Sequence, residues 1–119
     1  MDVIHIALDE ANVVPRSYGR IRHLAGDDTG LRNLHTVVVE IDAGEQTSKH
    51  YHPFEEVFFV LEGSGMFSTL EGSIGLRPND AVSVPANETH QISNNSRQKC
   101  VLFVAMSPPR KPSEVRVVD

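Results

Sequence analysis

Residues 49–63 read KHYHPFEEVFFVLEG. His50 and His52 stand two apart, and side chains alternate along a strand, so both imidazoles project to one side. Pro53 interrupts the ladder, and the chain resumes at Glu56 with Phe58 and Val60 in the same even register. Glu56 therefore points toward the two histidines, and Glu55 faces the other way. Two imidazoles with one carboxylate form a nitrogen–oxygen donor set that suits first-row divalent metals. A surface strand of an acidic protein can also carry an HxH pair, so the pair alone is weak evidence for a metal. Val57–Leu61 is a nearly continuous apolar run, as expected of a strand covered on both faces.

Outward from this stretch the chain is a succession of short β-branched runs separated by turn residues. His35–Ile41 (HTVVVEI) reads as a strand ended by Asp42-Ala43-Gly44. Gly65–Leu70 follows Gly63-Ser64, a two-residue hairpin-like connection. Glu71-Gly72 and Pro78-Asn79-Asp80 mark turns, and Ala81–Val84, Thr89–Ser93 and Cys100–Met106 read as further strands. Pro108, Pro109 and Pro112 end the last of these, with Glu114–Val118 as one more edge strand. The only helix signal is a single turn at Asp9-Glu10-Ala11, stopped by Pro15. Many short strands with closely spaced turns predict an all-β sandwich or barrel.

Composition sets the remaining bounds. At 119 residues, with 39% hydrophobic and 23% charged residues, the chain suits one globular domain. The net charge of −5 argues against nucleic acid as a partner, and Arg110–Lys111 is too small a basic cluster to change that. There is no GxxxxGK[ST] or GxGxxG phosphate cradle. The single cysteine, Cys100, excludes an internal disulfide and suits a reducing compartment. No long apolar span and no leader-like N-terminus occur, so a cytoplasmic protein with no membrane partner is expected.

The spacing around the histidine pair is more specific than the pair itself. Gly44, five residues, His50, one residue, His52, three residues, Glu56, six residues and Gly63 resemble the first motif of the cupin superfamily, G(X)5HXH(X)3–4E(X)6G, at every fixed position. Asn79-DAVSV-Pro85-Ala86-Asn87-ET-His90-QIS-Asn94 resembles the second, G(X)5PXG(X)2H(X)3N. Pro85, His90 and Asn94 fit, while Asn79 and Asn87 replace glycines. Asparagine tolerates left-handed backbone better than other non-glycine residues. The resemblance is to a small single-domain metal-binding cupin. It implies one domain over residues 1–119: strands in 1–43, the motif core in 44–94, and a last strand and tail in 100–119. It further implies a double-stranded β-helix, or jelly-roll barrel. His50, His52, Glu56 and His90 would converge on one divalent transition metal (iron, manganese, nickel, copper or zinc), with His90 brought across the lumen from a non-adjacent strand.

Two functions of different kind follow as expectations. The first is a metal-dependent enzyme acting on a small oxygenated molecule, by dioxygenase, isomerase or lyase chemistry. The second is a non-catalytic small-ligand-binding or sensing module. Ligand imidazoles must be neutral, so metal affinity should fall below about pH 6. His35 begins the alternation His35, Val37, Val39, Ile41 and is the candidate general base. Tyr18, Arg20 and Arg22 alternate on one side of a possible early strand, where an arginine could clamp a carboxylate. Phe58, Phe103 and Met66 are expected to pack the barrel, and His5 and His23 have no partner by spacing. Cys100 fits a buried strand position without an activated thiolate. A homodimer is expected from the fold family, with Val3-Ile4-His5-Ile6 pairing or exchanging across it.

Overall fold

A computed structural model describes residues 2–118. Eleven strands run in the order β1 (Val13–Arg16), β2 (Gly19–Ala25), β3 (His35–Ile41), β4 (His50–Tyr51), β5 (Glu55–Glu62), β6 (Gly65–Thr69), β7 (Gly72–Leu76), β8 (Ala81–Val84), β9 (His90–Ser93), β10 (Cys100–Ser107) and β11 (Arg116–Val117). They form two sheets of antiparallel pairs, β1-β2-β3-β10-β5-β8 and β11-β4-β9-β6-β7. The N-terminal helix signal becomes one 3-10 turn, Leu8–Glu10, and two more such turns occur at Asp27–Thr29 and Pro112–Glu114.

The inner faces of the two sheets enclose one apolar cluster. β10 alternates buried and half-buried residues along its whole length, with Cys100, Leu102, Val104 and Met106 inward. β3 contributes Val37, Val39 and Ile41, and β5 contributes Phe58 and Val60. Cys100 has no accessible surface, and burial pushes its thiol pKa up. It is packing, as expected.

Four local expectations change. Val57 and Leu61 are 43% and 42% exposed, so β5 is covered on one face only and alternates. Gly63-Ser64 does not close a hairpin, because β5 and β6 belong to different sheets. Gly63 has φ +77°, and a Cβ there would stand 2.2 Å from the Lys99 carbonyl, so the crossing demands glycine. Phe103 alternates with the inward residues of β10 and lies half-buried outside the core, as does Met66 on β6. The fourth is the stretch from Tyr18 to Arg22, whose members part company. Arg20 and Arg22 turn outward to the Glu40 carboxylate at 2.8 Å each, where Lys99 joins them at 3.1 Å. Tyr18, in the β1–β2 turn before Gly19, packs inward against the core.

Candidate metal centre

β4 is only two residues long because Pro53 removes a ladder donor just beyond it. It pairs β9 with His50 directly opposite His90. His90 therefore meets His50 as a neighbour in the same sheet, which corrects the expectation of a histidine reaching across the lumen. Glu56 is the residue that comes across, from β5 in the facing sheet. Residues 50, 52, 54, 56, 58 and 60 share one parity, and His52, Phe54, Glu56, Phe58 and Val60 are all buried.

Ring nitrogens of His50, His52 and His90, one from each, lie within 4.8 Å of one another. The backbone sets which nitrogen is available. His50 Nδ1 sits 2.8 Å from the Ser48 carbonyl, His52 Nδ1 3.0 Å from the Phe54 carbonyl, and His90 Nδ1 2.8 Å from the Glu88 carbonyl. A carbonyl only accepts, so each Nδ1 carries hydrogen, and in the neutral ring that leaves Nε2 with a lone pair. His52 Nε2 and His90 Nε2 are buried with no hydrogen-bond partner. The Glu56 Oε1 atom closely approaches His52 Nε2. Two acceptors facing each other in a dry site are unfavourable unless a cation lies between them. The donor set, its tautomers and its burial fit a divalent metal.

Packing holds the rings. His52 stacks on Phe54 with centroids 3.8 Å apart, and His90 stacks on Phe67 at 5.7 Å. Burial foremost lowers the pKa of His50 and of His90, which favours the neutral ligand form. Sequence reading missed Phe54, although its parity with His52 and Glu56 was visible.

The cluster opens on a cavity of about 280 Å³. Its walls include Val37, Val39, Ile92, Val104 and Met106, and Glu56 lines it as well. Phe58, expected to be packing alone, also faces it. Thr47, Ser48, Arg16, Tyr18 and Arg110 add polar groups. His35 does not line this cavity. It lines an adjacent one with His23, Asp27, Asp28 and Arg110, and Arg110 lines both. There His35 Nε2 is 3.2 Å from His23 Nδ1, and His23 Nε2 is 2.8 Å from Asp28 Oδ1. His23, which had no partner by spacing, thus has two. Arg16 and Arg110 were missed because nothing local distinguishes a cavity-lining arginine at a strand end or in a tail from a solvated one.

Two asparagines complete the frame. Asn79 and Asn87 have φ of +74° and +67°, the left-handed backbone expected of residues standing in for glycine. Asn94 is 1% exposed and donates to the carbonyls of Ile41 and Gln98.

Comparison with known proteins agrees with this architecture. A family model described as "Cupin domain" matches residues 37–106. Auxin-binding protein 4 of Zea mays is 32% identical over 121 residues, covering 87% of this chain and 58% of its own. This chain spans a little over half the length of such curated relatives. The polyketide cyclase RemF of Streptomyces resistomycificus superposes with a TM-score of 0.86 at 22% identity, over 98% of this chain and 86% of its own. A sugar phosphate isomerase of Silicibacter pomeroyi gives a TM-score of 0.79 at 19% identity, over 97% and 92%. No helix among the described residues is long and apolar enough to cross a membrane. With the family model spanning more than half of the chain and both sheets arranged as a jelly roll, the protein belongs to the cupin domain family.

Proposed function

We propose that this chain is a metal-dependent enzyme acting on a small oxygenated molecule, with one divalent transition metal held by His50, His52, Glu56 and His90. The observation that carries the reading is the pair of buried, unpartnered Nε2 atoms beside a cavity. A bound ion would act as a Lewis acid on ligand oxygens, within dioxygenase, isomerase or lyase chemistry. The chain's own part is to present three neutral imidazoles whose tautomers are fixed by backbone carbonyls. Glu56 adds the negative charge that imidazoles lack, and aliphatic side chains form part of the walls beside it. His35 enters this reading at one remove from the ligand, through Arg110. The fold itself selects no reaction.

Non-catalytic ligand binding is the second reading, favoured by the auxin-binding name of the maize relative. Elemental analysis of untagged protein, purified without chelators, tests both. Near-stoichiometric iron, manganese, nickel, copper or zinc is expected, and protein that takes up none of them would sink both metal-based readings. Metal-replete protein with no turnover of diketones, catechols or keto acids would favour the binder. The reading also takes the protein as a cytoplasmic homodimer. Val3 and Ile4, 72% and 60% exposed, support an apolar arm that a second copy covers.

A further inference from the structure

Two arginines reach the metal cavity from distant parts of the chain. Arg16 ends β1, and Arg110 follows Pro108-Pro109 in the C-terminal tail. Both line the cavity together with His50, His52, Glu56 and His90. Neither makes an ion pair with a carboxylate among the described residues, whereas Arg20 and Arg22 are both committed to Glu40. Among the described residues Glu56 is the only carboxylate lining this cavity, and it lies against His52. The chain carries a net charge of −5, so a cavity lined by two guanidiniums outside any carboxylate ion pair departs in sign from the rest of the molecule.

Tyr18 adds a phenol at the same place. Burial raises its pKa, and the Arg110 and Arg16 charges act against that rise; all three residues line the one cavity. The same cavity is lined by aliphatic surface from Val37, Val39, Val104 and Met106. A cavity of about 280 Å³ sits near the small end of ligand pockets, which run from roughly 300 to 1,000 Å³.

We infer that the cavity takes a small organic acid with an apolar body, its anionic group held by Arg16 and Arg110 and its other end turned to His50, His52 and His90. Guanidiniums bind carboxylates through paired hydrogen bonds, and the aliphatic walls suit a hydrocarbon or single aromatic ring. This deepens the metal-enzyme reading and rests on it for the ligand's other end. It also makes a choice that the metal alone would not: the carboxylate goes to the arginines and leaves the metal to other oxygens.

Benzoate and its neutral analogue benzamide are the probes, with the protein loaded with cobalt(II). Calorimetry is expected to show benzoate binding and benzamide not, with cobalt's visible absorption bands unmoved by benzoate. Arg16→Gln and Arg110→Gln should each weaken benzoate about tenfold, and the lysine variants should lose less. Arg16 is exposed and Arg110 half-buried, so the variants should fold; equal cobalt content and melting temperature check this. Benzoate that fails to bind, binds both glutamine variants as tightly as wild type, or shifts the cobalt bands overturns the inference. A wild-type chain that takes up no cobalt defeats the metal reading instead, and calorimetry of the arginine variants still reports on the clamp.

Discussion

The molecule contains two histidine clusters, and they are built on opposite rules. In the first, His50, His52 and His90 each spend Nδ1 on a backbone carbonyl and leave Nε2 facing a common point. In the second, His35 and His23 satisfy one another and Asp28 satisfies His23, in a chain that ends at the surface. Both pair imidazole with carboxylate, and both sit at the rim of a cavity. What separates them is polar satisfaction. Burying a nitrogen lone pair without a partner costs on the order of 1–3 kcal/mol, and the first cluster carries two such atoms at His52 and His90. A fold retains that cost where a ligand removes it. The second cluster has no such debt and holds itself together without one.

The sharpest way to break this contrast is to remove one ring from each cluster. His90→Ala should reduce bound metal from near one per chain to a small residue, whereas His23→Ala should leave it unchanged; elemental analysis after desalting reads both. Equal losses would mean that the first cluster is not the metal centre. A smaller effect comes from a polar cluster that needs no metal, on the outer face of β3. Burial would raise the Glu40 pKa, but hydrogen bonds from Arg22, Arg20 and Lys99 carry it down to about 2. A depressed carboxylate pKa contributes stability above its unfolded value, near 4.5, and loses it as pH falls toward 2. Glu40→Gln should therefore cost about 2 kcal/mol near neutrality, discounted for the exposure of Arg20 and Lys99. The gap between variant and wild type in urea midpoint should close as pH approaches 2. A gap that stays constant with pH would assign the loss to packing.

The same contrast explains what could be read from the sequence. The first cluster was legible because its residues lie in motifs of fixed spacing; parity pairs His50 with His52, and Glu56 joins them from the facing sheet. The bounds of β3 and β8 were legible from β-branched runs bordered by turn residues. β7 was not: GSIGL holds two glycines and a serine, and only pairing with β6 makes it a strand. The strand carrying His50 was read, but not that its pairing stops at Tyr51, before His52. The second cluster was illegible for a different reason. His23 and His35 meet because β2 pairs β3 with an irregularity between His23 and Ala25, a register no local pattern announces. Arg16 and Arg110 converge only once the turn after β1 and the proline-rich tail reach the same cavity. Pairwise spacing sees neighbours on one strand; it does not see what a barrel brings together.

The finest test of the comparison concerns His35, the residue first expected to be the general base. Its ring faces His23 from β2, Asp27 and Asp28 from the 3-10 turn, and Arg110 from the tail. Burial, then the His23 and Arg110 charges, hold its pKa below the ordinary 6.5, and the two aspartates only partly offset them. A base with a lowered folded pKa takes its proton more readily in the unfolded chain. The contribution to stability is therefore complete above 6.5 and declines as pH falls below it. His35→Gln should remove part of that decline while shifting stability near neutrality by less than about 1 kcal/mol, since the ring is half-exposed. Denaturant melts between pH 7 and 5 make the measurement, and metal content should not move. Loss of metal in His35→Gln would merge the two clusters into one functional unit and return His35 to the centre. Unchanged metal with a flattened pH profile would keep them apart, one cluster for a ligand and the other for the fold.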